Sequence, residues 1–326
     1  MRLIGCVVAC VAVLFGLAGG PSAVAQTWPT KAVSIVIPFP PGPGLDFVAR
    51  MVGDKLSGAL GQPVVYDNRT GANGRIAAEY VARAAPDGYT LMAAATSTHA
   101  TNVHLVKNLS YDPTKNFTPI IASVETIGCI VINQTVLPVN SVAELVEYAK
   151  KNPGKLSYGS SGVGSFFHLA GELFNQKAGV QINHVPYRGS VSAFTDLIGG
   201  HVPINFTQLS QALAYGENKN LKILAVLETV RFSKTPHIPS VTESVPPFRM
   251  PATWNGIVGP AGMPEPLVER LNAEIGKVLA MPEIKGKLEE FGYRTAGGTP
   301  AEFGNRIRDD IAFYGPIIRS VGIQPE

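Results

Sequence analysis

One construction, present in each half of this chain, limits what it can fold into: a short β-branched run, a Gly-rich turn, then a helix. In the first copy, residues 33–37 form an apolar run that reads as a buried strand. It ends at Pro38-Phe39-Pro40-Pro41-Gly42-Pro43-Gly44. Leu45, Val48, Met51, Val52, Leu56, Ala59 and Leu60 then recur at helical spacing. The helix therefore begins beyond the carboxyl end of the strand, where unpaired N–H groups and the positive end of the helix dipole favour an anion. The same arrangement also serves ordinary α/β crossovers that bind nothing. The second copy is Leu156-Ser157-Tyr158-Gly159-Ser160-Ser161-Gly162-Val163-Gly164-Ser165, followed by a helical pattern over 166–178.

Strand-like and helix-like segments alternate around both copies. In the first half, residues 63–66 and 89–95 read as strands, with a helix over 76–85 between them. The exit of the third strand, Thr96-Ser97-Thr98-His99, is rich in hydroxyls that either line a site or cap the next helix. In the second half, strands are predicted at 129–132, 182–185, 204–206 and 221–227. Helices are predicted from the Ser141–Glu144 capping box, over 191–198 and after Gln208. Beyond a Pro-rich link at 236–247, residues 254–258 read as a strand returning to the first domain. Helices follow over 264–280, 282–291 and 299–321. This alternation predicts an α/β protein of mostly parallel sheets flanked by helices.

The 326 residues supply material for two cores, since one core seldom grows past about 250–300 residues. A net charge of +3 without a long basic block gives no case for nucleic acid. Met1-Arg2, an apolar run over 3–17 and Ala23-Val24-Ala25 before Gln26 predict a cleaved export signal over residues 1–25 and a periplasmic location. That run is too short for a comfortable membrane span. A lipobox at Val8-Ala9-Cys10 would leave almost no apolar segment upstream of its cysteine. Cleavage leaves Cys129 alone, so no internal disulfide forms, and its apolar neighbours predict a small buried side chain.

Signatures of catalysis are missing. There is no Gly-x-Ser-x-Gly elbow, no His-Glu-x-x-His, no Walker lysine and no paired Cys or His at metal spacing. The six histidines are scattered along the chain. The expectation is a binding protein, without cofactor or metal, and not an enzyme; the alternative, a periplasmic hydrolase assembled from distant Ser, His and Asp, has no positive signal in the sequence.

Two Gly-rich turns, each opening a helix, suggest a cleft clamped from both sides, and here the sequence resembles a known family: the Bug or TctC extracytoplasmic receptors of tripartite tricarboxylate transporters. The resemblance is carried by Trp28-Pro29, Ile37-Pro38-Phe39-Pro40-Pro41-Gly42, Asp46, Arg50, Leu60-Gly61-Gln62-Pro63-Val64-Val65, Asn68-Arg69, Gly71-Ala72 and Ala85-Pro86-Asp87-Gly88-Tyr89-Thr90-Leu91. It continues through Tyr158-Gly159-Ser160-Ser161-Gly162, His168-Leu169-Ala170-Gly171-Glu172, Val185-Pro186-Tyr187-Arg188-Gly189, Trp254, Gly256 and Pro260-Ala261-Gly262. It implies a two-lobed periplasmic-binding-protein fold that closes by a hinge around a small carboxylate, as a monomer, for delivery to membrane permease subunits. A sensing partner of a membrane kinase would use the same clamp. The corresponding lobes are residues 26–124 with 244–326, and residues 125–243.

The ligand contacts this implies are Phe39, Pro41, Gly42, Gly44, Leu45 and Asp46 in the first turn, with Ser97 and His99 beside it. In the second lobe they are Ser160, Ser161, Val163, Gly164, Ser165, Phe166, Phe167, Tyr187, Arg188, Gly189 and Gln208. Several positions depart from the family pattern. Pro43 and Leu45 stand where it has Gly and Thr, Val163 to Phe167 replace Asn-Gly-Thr-Pro-Ser, and Pro203 replaces an Asp. These changes run from polar to apolar and point to a ligand with a larger apolar body. Phe166 and Phe167 are adjacent on one helix, so both cannot point the same way: either one of them reaches the cleft, or they belong to the domain core. The leader predicts that mass spectrometry of periplasmic protein finds Gln26 as the first residue. An intact Arg2, or a lipid on Cys10, would overturn that expectation.

Overall fold

The computed structural model describes residues 28–42, 44–320 and 322–325. The leader, its cleavage site, Cys6, Cys10 and Pro43 lie outside them. The apolar run of residues 33–37 forms β1 (Val33–Ile37), and the helical pattern after the Pro/Gly turn forms α1 (Leu45–Leu60). Gly61, in the left-handed region, ends that helix. Next come β2 (Val64–Asn68), α2 (Arg75–Ala82) and β3 (Thr90–Ala95). A wide helical turn over Ser97–Thr101 leads into the short α3 (Asn102–Leu105). The chain then passes from β4 (Phe117–Thr126) almost directly into β5 (Gly128–Asn133).

The second unit continues with α4 (Val142–Lys151), β6 (Ser157–Ser160), α5 (Phe166–Ala178), β7 (Asn183–Pro186) and α6 (Ser190–Ile198). It finishes with β8 (Ile204–Gln208), α7 (Leu209–Leu213) and β9 (Leu221–Val226). After the Pro-rich link come β10 (Thr253–Pro260), α8 (Glu265–Ala280), α9 (Pro282–Glu290), β11 (Tyr293–Gly297) and α10 (Pro300–Ser320).

Eleven strands among the described residues form two sheets, ordered β11-β4-β10-β3-β1-β2 and β7-β6-β8-β5-β9. The α/β class holds, but the sheets are mixed and not mostly parallel. β1, β2 and β3 pair in parallel, as do β6, β7 and β8. β10 is antiparallel to both β3 and β4, β11 is antiparallel to β4, and β5 is antiparallel to both β8 and β9. Strands linked by crossover helices kept the parallel direction, whereas strands that carry the chain between the sheets entered without that constraint.

Both sheets are covered on two faces, which explains their continuous apolar runs. Val33, Ile35 and Ile37 face a core built with α1 and α8, while Val36 joins Met92, Ala94 and Trp254 on the other face. Ile130 and Ile132 pack with Leu169, Leu173 and Phe174 of α5, and Cys129 and Val131 with Phe194 and Leu197 of α6. Cys129 is fully buried, as its neighbours predicted. α10 serves both units. Phe303 and Ile307 join a first-sheet core, but Tyr314, Ile317 and Ile318 join the second-sheet core. Its 21 residues span about 30 Å, enough to bridge two packed layers.

An ion cluster also joins the two sheets. Glu125, at the end of β4, accepts hydrogen bonds from Arg294 of β11 and Arg306 of α10. Arg294 Nη2 also stands 3.4 Å from Glu228 Oε2, just past β9. One guanidinium thus faces two carboxylates. Burial pushes the Glu228 carboxyl up to about 7, against the attraction of Arg294 and with the repulsion of Glu125. A carboxyl raised in the folded state stabilises while protonated, below its unfolded value, and that contribution is lost as pH rises through about 7. Glu228→Gln should therefore melt higher than wild type at about pH 8, by the order of 1–3 kcal/mol, and no higher at about pH 5. A lower melting temperature at the higher pH would mean that the pair with Arg294 outweighs the burial cost.

Candidate ligand-binding site

Because β1, β2 and β3 run parallel, the loops that leave their carboxyl ends meet along one edge. The loop after β1 is held by side chains from α1 and β2. Asn68 Nδ2 donates to Phe39 O (2.9 Å) and to Asp46 Oδ1 (2.8 Å). The Gly42 N–H donates to Asp46 Oδ2 at 3.0 Å, where Arg50 Nε also donates at 2.9 Å. Arg50 Nη2 closes the ring on Asn68 Oδ1 at 2.9 Å. Asp46 is 3% exposed. Burial would raise its pKa, but the bonds from Arg50, Asn68 and the Gly42 N–H overcome that and hold it below the usual carboxylate range.

The other two loops of this edge converge on the first. Gly74, at φ +82°, has no room for a Cβ, which would sit 2.6 Å from Thr98 Cγ2 and 2.9 Å from Pro38 Cβ. Asn73 Nδ2 donates to Asn102 Oδ1 (3.0 Å), and Asn102 Nδ2 to Asn73 O (3.2 Å). α1 starts at Gly44, φ +87°, with no side-chain cap. Its first N–H groups therefore remain available to an acceptor outside the helix.

The second edge is made the same way, by the carboxyl ends of β6, β7 and β8. Ser160 Oγ donates to Gly162 O and accepts from the Gly162 N–H, both at 3.2 Å, and it shares a 2.7 Å hydrogen bond with His184 Nε2. A hydroxyl this close to an imidazole has the spacing of a nucleophile and its base. Ser160 has no exposed surface, however, and its oxygen is committed to the turn. Ser165 caps α5, accepting from His168 N at 3.2 Å. α6 opens at Gly189 without a side-chain cap, and Tyr187 OH donates to Asp196 Oδ2 at 2.8 Å.

The two edges approach each other at Gly164, where a Cβ would lie 2.8 Å from Leu105 Cδ1 at the end of α3. On the first edge stand Phe39, Pro41, Gly42, Gly44 and Ser97. On the second stand Ser161, Val163, Gly164, Ser165, Phe166, Tyr187, Arg188, Gly189 and Gln208. Five nominated residues turn inward. Leu45 and Phe167 belong to the hydrophobic cores, because each lies on the buried face of its helix. His99 is fully buried edge-on to Phe117, and burial pushes its pKa down to about 3. Asp46 and Ser160 are buried and spend their oxygens on their own turns. Phe166 is half-buried beside Gly128, at the passage from β4 to β5.

No sequence pattern marks Asn73, Asn102, Leu105 or His184, because their partners come from distant segments. Arg50, Asn68 and His168 stand within the family's motif strings, the one signal in the sequence that sets them apart. A separate surface pocket of about 350 Å³, lined by Pro119, Met263, Val268 and Arg308 among others, contains none of the turn residues.

Two α/β units that approach each other at donor-rich turns have the architecture of a two-lobed solute-binding protein. Residues 48–323 match the model of the tripartite tricarboxylate transporter family receptor, TctC, and the chain belongs to that family of Bug or TctC receptors, which are periplasmic. It is 33% identical over 295 residues to a UPF0065 protein encoded in the tcbD-tcbE intergenic region of Pseudomonas sp. (strain P51), covering 90% of this chain and 87% of that one. Among solved structures it resembles R. palustris Rpa4515 with adipate, at a TM-score of 0.82 and 36% identity, covering 92% of this chain and all (100%) of that one. It also resembles MatC of Rhodopseudomonas palustris with bound malate, at a TM-score of 0.76 and 28% identity, covering 89% and 100%.

The geometry predicts how Asp46→Asn behaves. An amide keeps one oxygen where the carboxylate had two, so either Asn68 loses its acceptor at Oδ1 or Gly42 and Arg50 both lose theirs at Oδ2. Stability should fall by about 1–3 kcal/mol, and affinity for the ligand should fall with it as the loop loosens. Parallel melting and calorimetric measurements check this; unchanged affinity would make Asp46 a residue of helix stability alone.

Proposed function

We propose that this receptor captures a linear or aromatic dicarboxylate with an apolar middle and presents it to the membrane subunits of a tripartite tricarboxylate-type transporter. The observation that carries the reading is the pair of facing edges, each offering uncapped helix N–H groups, at Gly44 and at Gly189. Two carboxylates at opposite ends of one molecule suit two such donors, without a buried cation being required. Residues 26–124 with 244–326 form one lobe in this reading and residues 125–243 the other, with α10 reaching across. The sheet membership of β4, β5, β9 and β10 supports those boundaries.

Preference for an apolar middle rests on the walls between the two ends. Val163 is 64% exposed at the tip of its turn, and Phe166 is half-buried close by. Leu45 and Phe167, withdrawn into the cores, contribute nothing to these walls, whereas Leu105 at the approach of the two edges does. Each additional buried methylene contributes about 0.8 kcal/mol. A hydroxyl stripped of water against the same walls costs roughly 1–3 kcal/mol. The adipate-bound relative, at 36% identity, supports this chemistry more strongly than the malate-bound one at 28%.

Competition calorimetry pairing malate with adipate, and citrate with terephthalate, tests the reading. Adipate and terephthalate should bind more tightly and be recovered unchanged. Tighter binding of malate and citrate would overturn the apolar preference, and conversion of any ligand would overturn the receptor role.

A further inference from the structure

Beneath the second-lobe turn lie two histidines that the ligand contacts do not use. His168, in the first turn of α5, accepts a hydrogen bond at Nδ1 from the Gly164 N–H, 3.0 Å away. His184, on β7, shares its 2.7 Å hydrogen bond with Ser160 Oγ. The rings stack on each other with centroids 3.8 Å apart and planes 19° from parallel. Ser160 begins the turn and Gly164 ends it, so a single stacked unit holds both ends.

We infer that His168 and His184 are positioning residues for the ligand site, fixing the Gly-rich turn between Ser160 and Gly164, and that His168 does so only as the neutral imidazole. The inference rests on reading this turn as the second ligand edge. Its chemistry follows from the acceptor. Nδ1 receives the Gly164 N–H, so the proton of the neutral ring sits on Nε2, 4.0 Å from Glu172 Oε1. A second proton would have to enter at Nδ1, placing two donors face to face and breaking the bond to Gly164.

The groups around the pair favour the neutral state. Tyr158 of β6 lies against His184 with ring centroids 5.0 Å apart, and its hydroxyl donates to Glu172 Oε1 at 2.7 Å. That bond draws on the carboxylate nearest His168. Asp196 of α6 accepts from Tyr187, and α10 brings Tyr314, Ile317 and Ile318 to the core that α5 closes. Burial pushes both imidazoles down to about 4, and for His184 the neighbouring His168 adds to the effect. With folded values depressed, the stability these rings contribute is present above their unfolded value and lost as pH falls towards about 4. The hold on the turn in the folded protein is lost lower, as pH falls through about 4.

The test uses the mature protein, adipate as the probe, and the variants His168→Leu and His168→Asn. Asparagine places an amide oxygen as many bonds from the backbone as Nδ1, and it does not titrate. His168→Leu should weaken adipate binding about tenfold at about pH 7, and His168→Asn should recover most of that loss. As pH falls from about 5 through about 4 the affinity of wild type should fall relative to that of His168→Asn. Protonation of adipate itself acts on both proteins, so their ratio isolates the imidazole. Hydrogen exchange at the Gly164 amide supplies a readout that needs no ligand: slow in wild type and His168→Asn at neutral pH, fast in His168→Leu. Equal affinity in all three proteins would overturn the positioning role. So would parallel acid profiles for wild type and His168→Asn, or Gly164 exchange indifferent to residue 168. Should His168→Leu fail to fold, the comparison of wild type with His168→Asn still decides. If wild type gives no heat with adipate, the proposed ligand class fails, and Gly164 exchange alone decides the positioning role.

Discussion

A helix that begins past the end of a parallel strand cannot satisfy its first N–H groups from within, and both edges of this protein are arranged around that fact. The donors are useful only if the turns that expose them keep their shape. Each turn is held by side chains that bond to the turn itself. In the first edge these are the carboxylate of Asp46, the amide of Asn68 and the guanidinium of Arg50, closed into one ring of hydrogen bonds. In the second they are Ser160 and the stacked imidazoles of His168 and His184.

The two devices differ in their response to pH. A carboxylate saturated with donors stays charged well into acid, so the first edge is set over the whole physiological range. Buried neutral imidazoles accept protons as the medium acidifies, so the second edge carries the only acid-sensitive contacts described for either turn. Between the units, Glu228 also favours its neutral form, but that form carries the proton, so its contribution is lost as pH rises through about 7. The protein thus carries titratable groups at its second edge and at the junction of the two sheets, with opposite dependences on pH.

Glycine acts at a few positions for stated reasons. At Gly74 and Gly164 a side chain would collide with a neighbouring segment, so these residues let loops converge and let the two edges approach. At Gly44 and Gly189 the positive φ turns the chain from strand exit to helix start without placing a side chain over the N–H groups.

Local pattern determined most elements, because apolar periodicity and turn residues are written over a few consecutive positions. The patterns at residues 33–37, 89–95 and 221–227 gave β1, β3 and β9, and the capping sequences at Ser141 and Thr299 did open helices. The two Gly-rich turns, and through their motif strings the family, were legible for the same reason. Pairing direction was not: β4, β10 and β11 run antiparallel because of where the chain crosses between sheets, which no local pattern encodes. Nor was the fate of individual side chains. Leu45, His99 and Phe167 sit in ligand-like strings yet point into cores, since a helix turns each residue by a fixed angle and the packing of the face decides which one is buried. The pairing of His168 with His184 joins residues from a helix and a strand, and only the stacking of β6, β7 and α5 brings them within contact.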